Sequence, residues 1–113
     1  MLEAEALGLS AAIEAPIAWF IASRAKWPCR GALHVGLASA VATAVTHPQL
    51  WEAAFWAIPR YGLWPSTIVL ESLVILAEAV LIAWMAQLAL RHALVVSFVA
   101  NVASCAAGFL LAG

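Results

Sequence analysis

The chain has 113 residues, enough for one small domain, of which 66% are hydrophobic and 10% charged, against roughly 25% charged in an ordinary soluble domain. A mean hydropathy of +1.02 leaves almost nothing for water to solvate and excludes a soluble globular fold. The net charge of −1, with no basic stripe, excludes a nucleic-acid binder.

The chain starts Met1-Leu2-Glu3-Ala4-Glu5. A secretory signal needs a positive leading region, so this acidic start predicts that the first apolar segment is retained. A helix that crosses a bilayer needs about 20 mostly apolar residues. The sequence predicts four, near residues 6–23, 31–50, 66–90 and 93–113, an all-α bundle of four transmembrane helices in one domain over 1–113. The first is interrupted by Glu14 and the third by Glu71 and Glu78, while the second and fourth carry no formal charge.

Loop one, 24–30, holds Arg24, Lys26 and Arg30; loop three is expected as a tight Arg91-His92 turn; loop two, 51–65, holds only Arg60. Four of the five Lys and Arg residues thus share one side. The positive-inside rule places that side in the cytoplasm and both termini outside a cell (inner) membrane. Trp51, Phe55, Trp56, Tyr61 and Trp64 crowd loop two, which predicts a short helix lying in the outer headgroup region.

Small residues let membrane helices approach, and polar residues join them. Each span has such a face: Ser10, Glu14 and Ala18; Gly36, Ser39, Thr43 and then Thr46 or His47; Glu71 and Glu78; and Ser97, Asn101, Ser104 and Gly108. Glu71 and Glu78 are seven residues apart and diverge by only ~20° around a helix. Depth along the spans predicts a midplane set of Glu14, Glu78 and Asn101, and an outer set of Glu71, His47 and Thr46.

A charged side chain at the bilayer centre costs roughly 2.5–3.5 kcal/mol on insertion scales. No Lys or Arg lies within the spans, so the three glutamates are expected to carry protons, share them, bind a cation or pair with another subunit. Ion or proton binding at Glu14, Glu71, Glu78 and Asn101, supported by Thr46, His47, Ser97 and Ser104, is the functional expectation; protonated glutamates acting as interhelix glue are the competing one. Pro16 and Pro48 are helix-distorting residues that would free the carbonyls of Ala12 and Ala44, available to a cation. His47 with Glu71 is the pair best suited to a metal, if one binds. The sequence specifies no cofactor beyond such a bound cation. Cys29 and Cys105 have no metal spacing and read as unreactive.

Glu14-x-Pro16, Thr46-x-Pro48, Glu71-x6-Glu78 and Asn101-x2-Ser104 resemble an uncharacterised group of small four-helix bacterial integral membrane proteins. The resemblance implies a similar fold and a shared polar centre, and no activity. Glu14 is also similar in position to the first-helix glutamate of small multidrug resistance transporters, but the third span lacks their glycine-rich, aromatic character and adds two glutamates. That likeness is one of architecture.

The leading expectation is proton- or cation-coupled transport or permeation by a homo-oligomer or within a larger membrane complex, with the lipid bilayer as the surrounding partner. The alternative is an accessory or assembly subunit whose glutamates meet basic residues of a partner. The third is a metal-dependent membrane enzyme using His47, Glu71 and Glu14. No nucleophile–base pair is visible, and an enzyme is the least favoured of the three.

Overall fold

A computed structural model describes residues 2–112. The described chain is helical, with α1 (Glu3–Ala25), α2 (Ala32–Tyr61), α3 (Leu63–Ala86) and α4 (Leu90–Ala112). Three of these, α1, α3 and α4, are long and apolar enough to cross a membrane. The fourth, α2, has the length but is diluted by His34, Thr43, Thr46, His47 and Gln49, and by Glu52 and Arg60 in its second half.

Each helix packs on two neighbours, in the order α1–α2–α3–α4 and back to α1, within an envelope of 43 × 22 × 19 Å. Short connections force the alternation of direction. Loops one and three meet at one end, where the Arg30 N–H donates to the Ala86 carbonyl at 2.8 Å and Trp27 stacks on His92 with ring centroids 4.2 Å apart. At the opposite end Trp64, beside the α2–α3 junction, packs on Phe109 near the end of α4.

Two connections differ from expectation. There is no separate helix in loop two: residues 51–61 continue α2, and the reversal falls on Gly62 alone. Pro48 removes one N–H without stopping the helix, and the contacts of His47 with Trp51 and of Trp51 with Phe55 tie successive turns together. Gly62 has φ +93°, a conformation in which a side chain is strained, and its N–H still closes the last turn of α2 onto Ile58. The third loop is Gln87–Ala89, not Arg91-His92, which lie in the first turn of α4. Gln87 adopts the left-handed conformation and donates to the Ala83 carbonyl. Leu88 shares that acceptor and tucks its side chain into the core, a helix stop with its own apolar anchor.

The half of the bundle near loops one and three is packed with small apolar side chains: Ala18 and Ala22, Val35 and Ala38, Ile82 and Ala86, Ala93 and Val96 are all buried. Gly36 sets the α1–α2 spacing, since an added Cβ would stand 3.1 Å from the Ala15 carbonyl oxygen and from the Trp19 Cβ. Nothing lies within 4 Å of the equivalent point on Gly8. Overpacking costs about 1–3 kcal/mol. Gly36→Leu is therefore expected to lower the unfolding temperature in mild detergent, while Gly8→Ala leaves it unchanged or raises it. Equal loss in both would show that α1 and α2 are not held at this distance.

Candidate functional site

The polar faces of all four helices converge on one small cavity of about 120 Å³ in the bundle. Helix α1 supplies Ser10 and Glu14, α2 supplies Thr43, Thr46 and His47, α3 supplies Glu71 and Glu78, and α4 supplies Asn101 and Ser104. The convergence follows from spacing. Side chains three or four residues apart share a helix face, so a stripe on each of four helices in a ring meets at the axis.

Glu14 and Glu78 form the centre, each only 2% exposed. Both face the same small cavity. Thr43 donates to Glu14 Oε1 at 3.1 Å and Ser104 to Glu14 Oε2 at 3.0 Å. Thr46 donates to Glu78 Oε2 at 2.8 Å and Asn101 Nδ2 to Glu78 Oε1 at 3.1 Å. Each carboxyl oxygen thus has a donor, and every donor is neutral.

The hydroxyl donors have a second choice. Thr43 also reaches the Ser39 carbonyl, Thr46 the Ala42 carbonyl and Ser104 the Asn101 carbonyl, at 2.9, 2.9 and 3.2 Å. A hydroxyl has one proton to give and two lone pairs to accept with. Each can therefore turn toward a carboxylate, or fold back on its own helix and accept from a carboxylic acid. The cage accommodates a proton gained or lost without moving the backbone. Asn101 is held from behind, its amide also reaching the Ser97 carbonyl at 2.8 Å and the Ser97 hydroxyl at 3.3 Å. Ser97 in turn donates to the Ile75 carbonyl at 2.8 Å, tying α4 to α3.

Residues of both expected depth levels line the one cavity. Thr46, placed by sequence with Glu71 and His47, bonds Glu78 and so joins the cage of Glu14 and Asn101 while lining the same cavity as His47 and Glu71. Glu71 is half-buried, and the four donors above go to Glu14 and Glu78, not to it. His47 is 7% exposed, and its Nδ1 has no hydrogen-bond partner. Glu71 and His47 line the central cavity and also a larger one of about 410 Å³ toward the Gly62 end, which share Leu50 and Cys105 as well. Cys105 is thus a cavity-wall residue.

The prolines do not serve the site as expected. Pro16 and Pro48 are exposed on the outer face of the bundle. A carbonyl four residues back lies on the same helix face as its proline, so those of Ala12 and Ala44 turn away from the cavity that Pro16 and Pro48 also do not line. Among the described residues no group of three or more His, Cys, Asp or Glu side chains is placed to hold a metal ion. Thr43 and Ser10 are the cavity residues that the glutamate-led reading ranked too low. Their signal was present in the four-residue periodicity of their helices.

Comparison with protein-family models, curated proteins and solved structures finds no match. The fold and site define a helical-bundle protein with three helices able to cross a membrane and a carboxyl pair caged by neutral donors at its centre.

Leaving a buried acceptor unsatisfied costs about 1–3 kcal/mol. Asn101→Leu is expected to destabilise the bundle by that order in detergent unfolding, and Glu78→Gln combined with it to recover part of the loss, because the amide brings its own donor. Additive losses in the double variant would show that Asn101 and Glu78 do not act together.

Proposed function

We propose that this chain is a small multi-pass membrane protein that binds and exchanges a proton or a monovalent cation at Glu14 and Glu78, and that this exchange drives transport or permeation by an oligomer. The observation that carries the reading is the pair of fully buried carboxyls facing one small cavity, with neutral donors on every oxygen. Two carboxylates side by side in a medium of low dielectric repel strongly. A proton shared between them, or a cation replacing it, relieves that repulsion. Interhelix glue needs no such pairing, since a single protonated glutamate bonded to a threonine would serve.

In this reading α2 also crosses the bilayer, carried by its packing along α1 and α3. Loops one and three face the cytoplasm, with Arg24, Lys26, Arg30 and, in the first turn of α4, Arg91 at that end. The α2 extension, with Trp51, Phe55, Trp56 and Tyr61, reaches the outer headgroup level, where Arg60 sits over the Trp56 ring at 4.7 Å. The cavities then communicate with the outer side, and the alanine-rich half forms the inner seal. One bundle so packed binds from one side only, which is why passage is assigned to an oligomer or to a second conformation that parts this seal.

The test is flux into proteoliposomes, with protons followed by an internal dye and sodium by tracer. Wild type is expected to carry at least one of the two, with Glu14→Gln and Glu78→Gln reducing flux by tenfold or more and Lys26→Gln leaving it intact. Flux equal to empty vesicles, with a second protein co-purifying in fixed ratio and lost in Glu14→Gln, would replace this reading with an assembly subunit whose partner neutralises the pair.

A further inference from the structure

Glu14 and Glu78 are shut in. Each is 2% exposed, and a donor engages every carboxyl oxygen. A proton that loads or leaves the pair therefore needs a carrier at the cavity wall, and Glu71 has the position. It lies on α3 two turns from Glu78 toward the Gly62 end, about 10 Å along the axis and on nearly the same face. It lines the central cavity of about 120 Å³ together with the pair, the larger one of about 410 Å³ toward the Gly62 end, and a third of about 290 Å³ along the α3–α4 seam. Cys105 is the other residue on all three walls.

The Glu71 carboxyl is also free and reachable. Among the described residues none of the side-chain hydrogen bonds ends on it. The side-chain polar atoms that are both sealed and unpartnered are Ser39 Oγ, His47 Nδ1, Ser66 Oγ and His92 Nδ1. The Glu71 oxygens are unpartnered without being sealed, so they face open space. Four other titratable groups face these cavities: Glu14 on α1, His47 on α2, Glu78 on α3 and Cys105 on α4, with no Lys or Arg among them. Two of the four are the pair itself. A thiol ordinarily keeps its proton at neutral pH, and one nitrogen of His47 is sealed. A carboxyl can take a proton on one oxygen and give it from the other.

We propose that Glu71 is the relay residue of the buried pair, taking protons from the larger cavity and passing them through the central one to Glu78 and Glu14. A water on the outer side protonates one Glu71 oxygen. The carboxyl then gives a proton to a water in the central cavity, and that water protonates Glu78 or Glu14. Only O–H bonds form and break, one proton moves inward, and Glu71 ends as it began. Both cavities exceed the roughly 10–15 Å³ that one water needs. When Glu78 is loaded, the Thr46 hydroxyl turns from its Oε2 back to the Ala42 carbonyl. The relay rests on the reading that the pair exchanges a proton.

The test uses the protein in lipid nanodiscs and a light-triggered release of protons, with the carboxyl stretching band followed in time. The final amplitude reads exchange at the pair and the rate reads the relay, so the two readings fail separately. Glu71→Gln is expected to keep the amplitude that belongs to the pair and to slow its approach by about tenfold or more. Glu71→Asp, which keeps a carboxyl, should recover most of the rate. Formate, small enough for the larger cavity, should restore the rate of Glu71→Gln in proportion to its concentration, while chloride at equal ionic strength does not. Ser72→Ala, on the exposed side of α3, should leave the rate unchanged, and His47→Asn should slow it less than Glu71→Gln. An unchanged rate in Glu71→Gln overturns the proposal. So does a slowing that neither Glu71→Asp nor formate repairs, which would make Glu71 a structural residue, or a slowing as large in His47→Asn, which would move the relay to the imidazole. A wild type with no band change at any time removes the exchange itself and the relay with it.

Discussion

Two carboxyls meet in the middle of a bundle whose surroundings offer no positive charge, and the rest of the architecture answers that constraint. Both side chains are 2% exposed, and an unsatisfied charge buried in a medium of low dielectric costs several kcal/mol. Each helix therefore contributes a part. Helix α1 brings one carboxyl, α3 the other, and α2 and α4 bring hydroxyls and an amide that bond across the ring. The same bonds that make the carboxyls tolerable fix the register of α1 on α2 and of α4 on both α1 and α3. Stability and site are one set of contacts.

The bundle is divided along its length. Toward loops one and three the helices close on alanine, valine and Gly36, with few groups for water or an ion to use. Toward Gly62 larger side chains, the aromatic tail of α2 and the ends of α1 and α4 leave space, and His47 and Glu71 border it. A group reaching Glu14 and Glu78 from the open half passes these two residues. The order along the bundle is thus apolar wall, then imidazole and one carboxyl, then the caged pair. The hydroxyls of Thr43, Thr46 and Ser104 supply the adaptability, because each has a backbone carbonyl to return to when the carboxyl no longer needs its proton.

The helices were legible because apolar runs of bilayer length leave few alternatives, and the polar stripes were legible because periodicity survives whatever the helices pack against. Glu14, Glu78, Asn101 and Ser104 were brought together by nothing more than matching spacing on adjacent helices. What the sequence obscured was local. Residues 51–61 read as a connection with its own short helix because Glu52, Pro59 and Arg60 interrupt the apolar run, yet their i, i+4 aromatic contacts carry α2 through. Gln87, with no glycine to announce it, ends α3 in a left-handed cap three residues before α4 starts. Thr46 bonds Glu78, because depth along a span does not fix which carboxyl a side chain turns to. The prolines are ambiguous for a related reason: a helix interruption does not say which face it lies on, and Pro16 and Pro48 face outward.

The central claim, that Glu14 and Glu78 exchange a proton or cation as a pair, is tested most directly by infrared difference spectroscopy of the protein in lipid, with acid and sodium as the two perturbations. The carboxyl stretching band of the wild type is expected to change with pH or on adding sodium, and Glu14→Gln and Glu78→Gln should each alter the response of the remaining partner. A carboxyl band that stays constant across pH and sodium concentration, or two variants whose losses simply add to the wild-type signal, would contradict the account and leave the pair as a structural clasp.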